Sequence, residues 1–144
     1  MIDSTGFTGI DTNVLLRYLL RDDHAHYSLA ERAFAQLTPE SPGFITQVTL
    51  AETYWVLSRS LKLPRRECLT VMRRLFESEA LEFDDAEGVG RAIALAENGA
   101  DFGDALIQGA MELFGVTRTV TFDRRAAERL GWELLVPDEP APAA

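Results

Sequence analysis

What restricts the fold of this chain most is an alternation. Short apolar runs with strand character, FTGI at 7–10, PGFIT at 42–46, ALEF at 80–83, TVTF at 119–122 and ELLV at 133–136, are separated by longer segments whose apolar residues recur every three or four positions. Such segments read as helices over 13–20, 28–37, 49–57, 65–78, 85–99, 104–115 and 124–131. Pro64 is expected in the first turn of its helix, and Asn98 with Gly99, like Gly131, at a left-handed helix end. Strands that alternate with helices need crossover connections, and crossovers make a parallel sheet covered on both faces. The expected fold class is therefore α/β, with three α/β/α layers around a central, mainly parallel sheet.

A chain of 144 residues, 47% apolar, can bury one continuous core, and no repeat or second domain is visible. The expected organisation is a single domain over residues 1–138 and a disordered tail, 139–144, within the proline- and alanine-rich end VPDEPAPAA. The opening MIDST is also expected to be loose. One cysteine, Cys68, lies in the apolar run CLTVMRRLF, so no internal disulfide can form, and a buried thiol in a reducing compartment is expected. No basic leader precedes an apolar stretch and no run of about twenty apolar residues occurs, so a soluble protein of cytoplasmic localisation without membrane contact is expected. The formal net charge of −9 argues against coating nucleic acid by overall attraction. It leaves room for a local site, since arginines occur as neighbours at 65–66, 73–74 and 124–125; solvated helix faces are the simpler account of them.

Asp11 and Asp123 each end a strand segment just before a helix, the place where open α/β sheets carry ligand sites. Each could equally be an ordinary N-cap. Glu52 is the single charge in SPGFITQVTLAETYWVLS, residues 41–58, and shares one side of its helix with Val48, Trp55 and Val56. An isolated carboxylate carried into an apolar interior costs on the order of 4 to 7 kcal/mol, against a net domain stability of about 5 to 15 kcal/mol. Glu52 is thus expected to have a partner, either an arginine or a cation. Asp101 and Asp104 begin an apolar helix, where a cap and a first-turn acid would suit the helix dipole. Asp104 is nevertheless in phase with Ile107, Gln108 and Met111 and is expected to face inward with them.

Two carboxylates about 4 Å apart repel by roughly 4 kcal/mol at an effective dielectric of 20. If these acids converge, only a multivalent cation makes the cluster tolerable. An all-oxygen donor set suits Mg²⁺ or Mn²⁺ better than zinc, and the two histidines, His24 and His26, sit in the polar stretch RDDHAH and read as exposed. A hard cation at the sheet edge suits phosphodiester hydrolysis, because it activates water and neutralises developing charge.

Four segments together resemble the PIN-domain ribonucleases and, within them, the VapC toxins of bacterial toxin–antitoxin systems: DTNVLLRYL at 11–19, TLAETYWVL at 49–57, DFGDALI at 101–107 and TFD at 121–123. The resemblance runs from about residue 7 to 136. It implies a PIN-like fold and puts the family's four acids on Asp11, Glu52, Asp104 and Asp123. Thr121 matches a small hydroxyl residue before the last acid, Asn13 a polar residue near the first, and Asp101 an accessory acid of some members. The resemblance further implies a Mg²⁺- or Mn²⁺-dependent endoribonuclease that cuts structured RNA, often tRNA or rRNA, to inhibit translation. A homodimer is implied, and a cognate VapB-type antitoxin whose C-terminal segment blocks the acidic site. On this reading Asp11, Glu52 and Asp104 hold the main ion directly or through water, and Asp123 completes the site or a weaker second one.

Two other classes fit parts of the pattern. A catalytically inactive PIN-like module would bind RNA or a partner without cutting, although such a member would usually have lost an acid. A phosphoacceptor signalling domain also places aspartates at strand ends, but it needs a lysine after a late strand. The only lysine here, Lys62, follows the Glu52 helix.

Overall fold

In the computed structural model, which describes residues 6–138, each apolar run becomes a strand of two or three residues and each periodic run a helix. The strands are β1 (Thr8–Gly9), β2 (Gly43–Ile45), β3 (Leu81–Phe83), β4 (Val120–Thr121) and β5 (Glu133–Leu134). The helices are α1 (Thr12–Leu20), α2 (His24–Ala35), α3 (Gln47–Trp55), α4 (Arg65–Glu77), α5 (Ala86–Glu97), α6 (Phe102–Leu113) and α7 (Arg124–Leu130). The MIDST segment and the tail at 139–144 lie outside the described residues.

Every strand pair is parallel, in two ladders: β1-β2-β3, with Gly9 opposite Phe44 and Phe44 opposite Glu82, and β4-β5, with Thr121 opposite Leu134. Helices make each return, α1 and α2 from β1 to β2, α3 and α4 from β2 to β3, and α7 from β4 to β5. The result is the expected α/β/α arrangement, mostly helical around a parallel sheet. Leu15, Ile45, Leu50, Leu57, Met72, Val89, Ile93 and Phe102 form its fully buried centre. Each contributes about 1.5–3 kcal/mol by leaving water. Cys68 is buried among them, and burial pushes its thiol up, which keeps it protonated and inert.

Small residues line the helix pair that leads to the later acids. Gly109 on α6 faces Gly88 on α5, and a Cβ on Gly109 would stand in ordinary contact, 3.5 Å, with the Gly88 backbone. With Ala92, Ala96 and Ala105 also fully buried, the two helices form the most extensive helix contact in the chain. Gly99, at the corner between them, has φ +116°, a conformation that favours glycine, and the Arg129 guanidinium lies against it.

Three expectations need correction. Pro64 stands at the N-cap position of α4 and not in its first turn, because its backbone is still extended at ψ 142° and the helix opens on Arg65. The face of α3 shared by Val48, Glu52 and Trp55 is real but does not enter the core: Val48 is 68% and Trp55 59% exposed. The buried side of α3 is Thr49, Leu50, Thr53 and Tyr54, continued by Leu57, so this helix is apolar on two faces and its phase could not be read from hydrophobicity. On α6, Phe102, Ala105, Leu106 and Gly109 face the core, leaving Asp104 half-buried with Gln108 and Met111, and Ile107 exposed. A π-helical turn, Val56–Ser60, widens the chain directly after Trp55, closed by Leu61 N–H donating to the Val56 carbonyl at 2.9 Å.

Candidate metal centre

Four of the acids, Asp11, Asp101, Asp104 and Asp123, stand at helix N-termini, two of them shortly after strands. Asp11 follows β1 and caps α1, its carboxylate accepting from Val14 N–H at 2.9 Å. Asp123 follows β4 and caps α7, accepting from Arg125 and Ala126 N–H at 2.9 and 3.1 Å. Asp101 caps α6 by accepting from Asp104 N–H at 2.9 Å. The capping account of these three aspartates is therefore correct as far as it goes. Each cap uses one carboxylate oxygen and leaves the other to face outward, and each sits in the positive field of a helix N-terminus.

Glu52 is held differently. It lies exposed on α3, and its Oε1 accepts from the Thr12 hydroxyl at 2.8 Å. Thr12 is the first residue of α1 and neighbours Asp11 in the chain, so this bond ties the glutamate to the first strand end. Thr12 was not singled out in the sequence; its only signal there is a hydroxyl residue directly after the strand-end acid. Asp84, at the carboxyl end of β3, was missed as well. Its carboxylate accepts from Gln47 N–H at 3.0 Å and so holds the start of the helix that carries Glu52.

Asp104 shares its surroundings with Asp101 and Asp123. Its carboxyl is pushed above the usual carboxylate range, first by partial burial and then by those two neighbouring negative charges. The Thr121 hydroxyl accepts from Asp123 N–H at 2.9 Å and shapes the turn that presents Asp123. Asn13 lies exposed in the first turn of α1, beside Glu52 and Trp55. The Tyr54 ring, on α3, packs 4.9 Å from that of Phe102 at the head of α6. The Tyr54 hydroxyl is itself pushed up, mainly by burial and to a smaller degree by Asp101, while Arg65 opposes the shift. That contact packs α3 against the head of α6 without bringing Asp11 and Glu52 into one cluster with Asp101, Asp104 and Asp123.

Among the described residues none of these five carboxylates is paired with an arginine, lysine or histidine. The arginine partner foreseen as one alternative for Glu52 is absent there. In the same residues no three of His, Cys, Asp and Glu come close enough together to hold a metal ion. His24 and His26 are exposed at the start of α2, where His26 Nδ1 lies 2.7 Å from Asp23. The donor set is thus carboxylate and hydroxyl oxygen, negative and without internal compensation. It fits a hard divalent cation that keeps much of its water and takes one or two carboxylates directly.

Of the arginine neighbours, Arg65 donates to the carbonyls of Ala96 and Ala100 and anchors the corner before Asp101, while Arg73 pairs with Glu97. Arg124 and Arg125 stay exposed in the first turn of α7, next to Asp123. Among the described residues no helix is long and apolar enough to cross a membrane. The chain matches the PIN domain family over residues 10–132. No curated protein matches it.

Proposed function

The chain belongs to the PIN domain family, and from that premise we propose that it is a Mg²⁺- or Mn²⁺-dependent endoribonuclease, a VapC-type toxin that cuts tRNA or rRNA in the cytoplasm. On this reading it acts as a homodimer and is neutralised by a cognate VapB-type antitoxin. One observation carries the proposal: Asp104 lies with Asp101 and Asp123 at the heads of α6 and α7, Asp11 caps α1 with Glu52 tied to its neighbour Thr12, and among the described residues none of the five is paired with an arginine, lysine or histidine.

Asp11, Glu52 and Asp104 would hold the ion, directly or through water, and Asp123 would complete the site or a weaker second one. When bound, the ion supplies an activated water and a counter-charge for the phosphate oxygens at which negative charge grows. The rest belongs to the protein. Thr12 fixes the Glu52 carboxylate by its hydroxyl, and the heads of α1 and α7 hold Asp11 and Asp123 by backbone N–H groups. Arg124 and Arg125 are placed to meet backbone phosphates of an approaching RNA strand. An acidic chain can in this way accept a polyanion at one edge.

The lack, among the described residues, of three acids close enough to hold a metal ion favours a second reading, an inactive PIN-like module that binds RNA or a partner. The two are separated by assaying RNA cleavage with Mg²⁺ or Mn²⁺, with EDTA, and with Asp11→Asn. The nuclease reading expects cleavage only in the first case. Cleavage surviving both EDTA and the substitution overturns the metal mechanism, and a clean preparation that binds RNA but never nicks it establishes the module.

A further inference from the structure

Beside the acids runs a groove of about 610 Å³, walled by Thr12, Asn13, Leu16, Ala51, Trp55 and Val56 and edged by Glu52. Its size is that of a small-molecule site, apolar on the sides with a few polar groups at the rim. Trp55 is the unusual member. It is one turn beyond Glu52 on α3 and leaves 59% of its surface in water, although a tryptophan ordinarily contributes most by being covered. Arg59 stands one turn further, on the π-helical segment, exposed and without a carboxylate partner among the described residues. A single line along the helix therefore offers a carboxylate, an aromatic face and a free guanidinium.

We propose that this groove takes an unstacked nucleobase of a single-stranded segment of RNA, with Trp55 as the stacking platform. The inference rests on the nuclease reading and extends it to substrate selection. Thr12 hydrogen-bonds Glu52 at 2.8 Å and follows Asp11 in the chain, so groove and acids share a wall. A nucleotide whose phosphate lies at the acids can reach the indole with its own base. The Asn13 carboxamide, exposed at the rim, offers both a donor and an acceptor to a base edge, and Arg59 can take the next phosphate. A second copy of this chain with its two-fold axis through the groove would set one Glu52 carboxylate against its mate, which favours the nucleobase over that arrangement. Single strands are favoured over duplex, because only an unstacked base exposes a face to the indole.

The chain has two tryptophans, so fluorescence isolates Trp55 by difference between the protein and its Trp55→Phe variant, with Trp132 as the constant background. The probes are a single-stranded RNA 12-mer, its duplex, and the same strand with abasic positions, added in Mn²⁺ buffer to Asp104→Asn protein so that nothing is cut. Quenching of Trp55 by the single strand alone is expected. Trp55→Ala should weaken single-strand binding about tenfold or more while Trp55→Phe retains most of it. In the cleaving protein Trp55→Ala should raise KM and leave kcat within a few-fold. Equal binding of intact and abasic strands, or unchanged affinity in Trp55→Ala, overturns the proposal and leaves the nuclease reading standing. So does a Trp55 emission already shifted to the blue without RNA together with loss of dimer on Trp55→Ala, which marks the face as an interface between copies. No RNA binding and no cleavage by the unaltered chain would instead remove the nuclease reading itself.

Discussion

The outer faces of α1, α4, α5 and β5 and the acidic edge of the sheet use the same residue types to opposite effect. On those faces four carboxylates are matched from within the chain: Arg17 with Asp22 at 2.9 Å, Arg73 with Glu97 at 2.6 Å, Arg91 with Glu112 at 3.4 Å, and Arg118 with Glu133. At the edge, Asp11, Glu52, Asp101, Asp104 and Asp123 have only hydroxyl and backbone donors. The Arg118–Glu133 pair draws its carboxyl down, whereas Asp104 is pushed up by its neighbours. None of the arginines in those pairs is matched with an acid of the second set, and on the proposed reading an outside cation takes that place.

The largest effect expected from breaking this contrast is on catalysis. Asp104→Asn or Asp11→Asn should lower RNA cleavage by at least about 10³-fold, as removal of a main electrostatic group does elsewhere. Arg73→Ala, which breaks a matched pair, should leave cleavage unchanged and cost about 0.5 kcal/mol or less. Next comes the response to metal. Mn²⁺ at roughly 100 times its Kd should raise the melting temperature by about 5–10 °C, and Asp104→Asn should abolish most of that rise. Thr12→Val should follow, with cleavage lowered about tenfold because Glu52 loses its one hydrogen bond.

The smallest effect concerns stability without metal. Because the folded Asp104 carboxyl is pushed up, the folded state holds its proton more tightly than the unfolded state does. Metal-free stability is therefore fullest at low pH with respect to this group, and falls as pH rises from the ordinary carboxylate value through the raised one. Asp104→Asn should then melt slightly higher than the parent at pH 7 in EDTA, and the gap should close towards pH 3. A variant that melts lower at pH 7 would show Asp104 to be a stabilising structural acid.

The strands and helices were legible because apolar period and turn residues agree along most of the chain. Gly131 closes α7 at φ +72° and Gly99 turns the α5–α6 corner, as their sequence positions imply. The strand-end location of Asp11 and Asp123 was also readable, since a parallel sheet dictates where its strands stop. The outward position of Glu52 was not, because Val48, Trp55 and Val56 look like core residues and only the packing of Leu50, Tyr54 and Leu57 shows which face is covered. The role of Thr12 depends on a contact forty residues away, between α1 and α3, which no local pattern encodes.

The central claim, that these acids are reconciled by a divalent ion, is tested most directly by an anomalous difference map from crystals grown with Mn²⁺. The account predicts a peak bound by at least two of Asp11, Glu52, Asp104 and Asp123, lost in crystals of Asp104→Asn. A map with no peak among these carboxylates, at Mn²⁺ concentrations that support RNA cleavage, would contradict it.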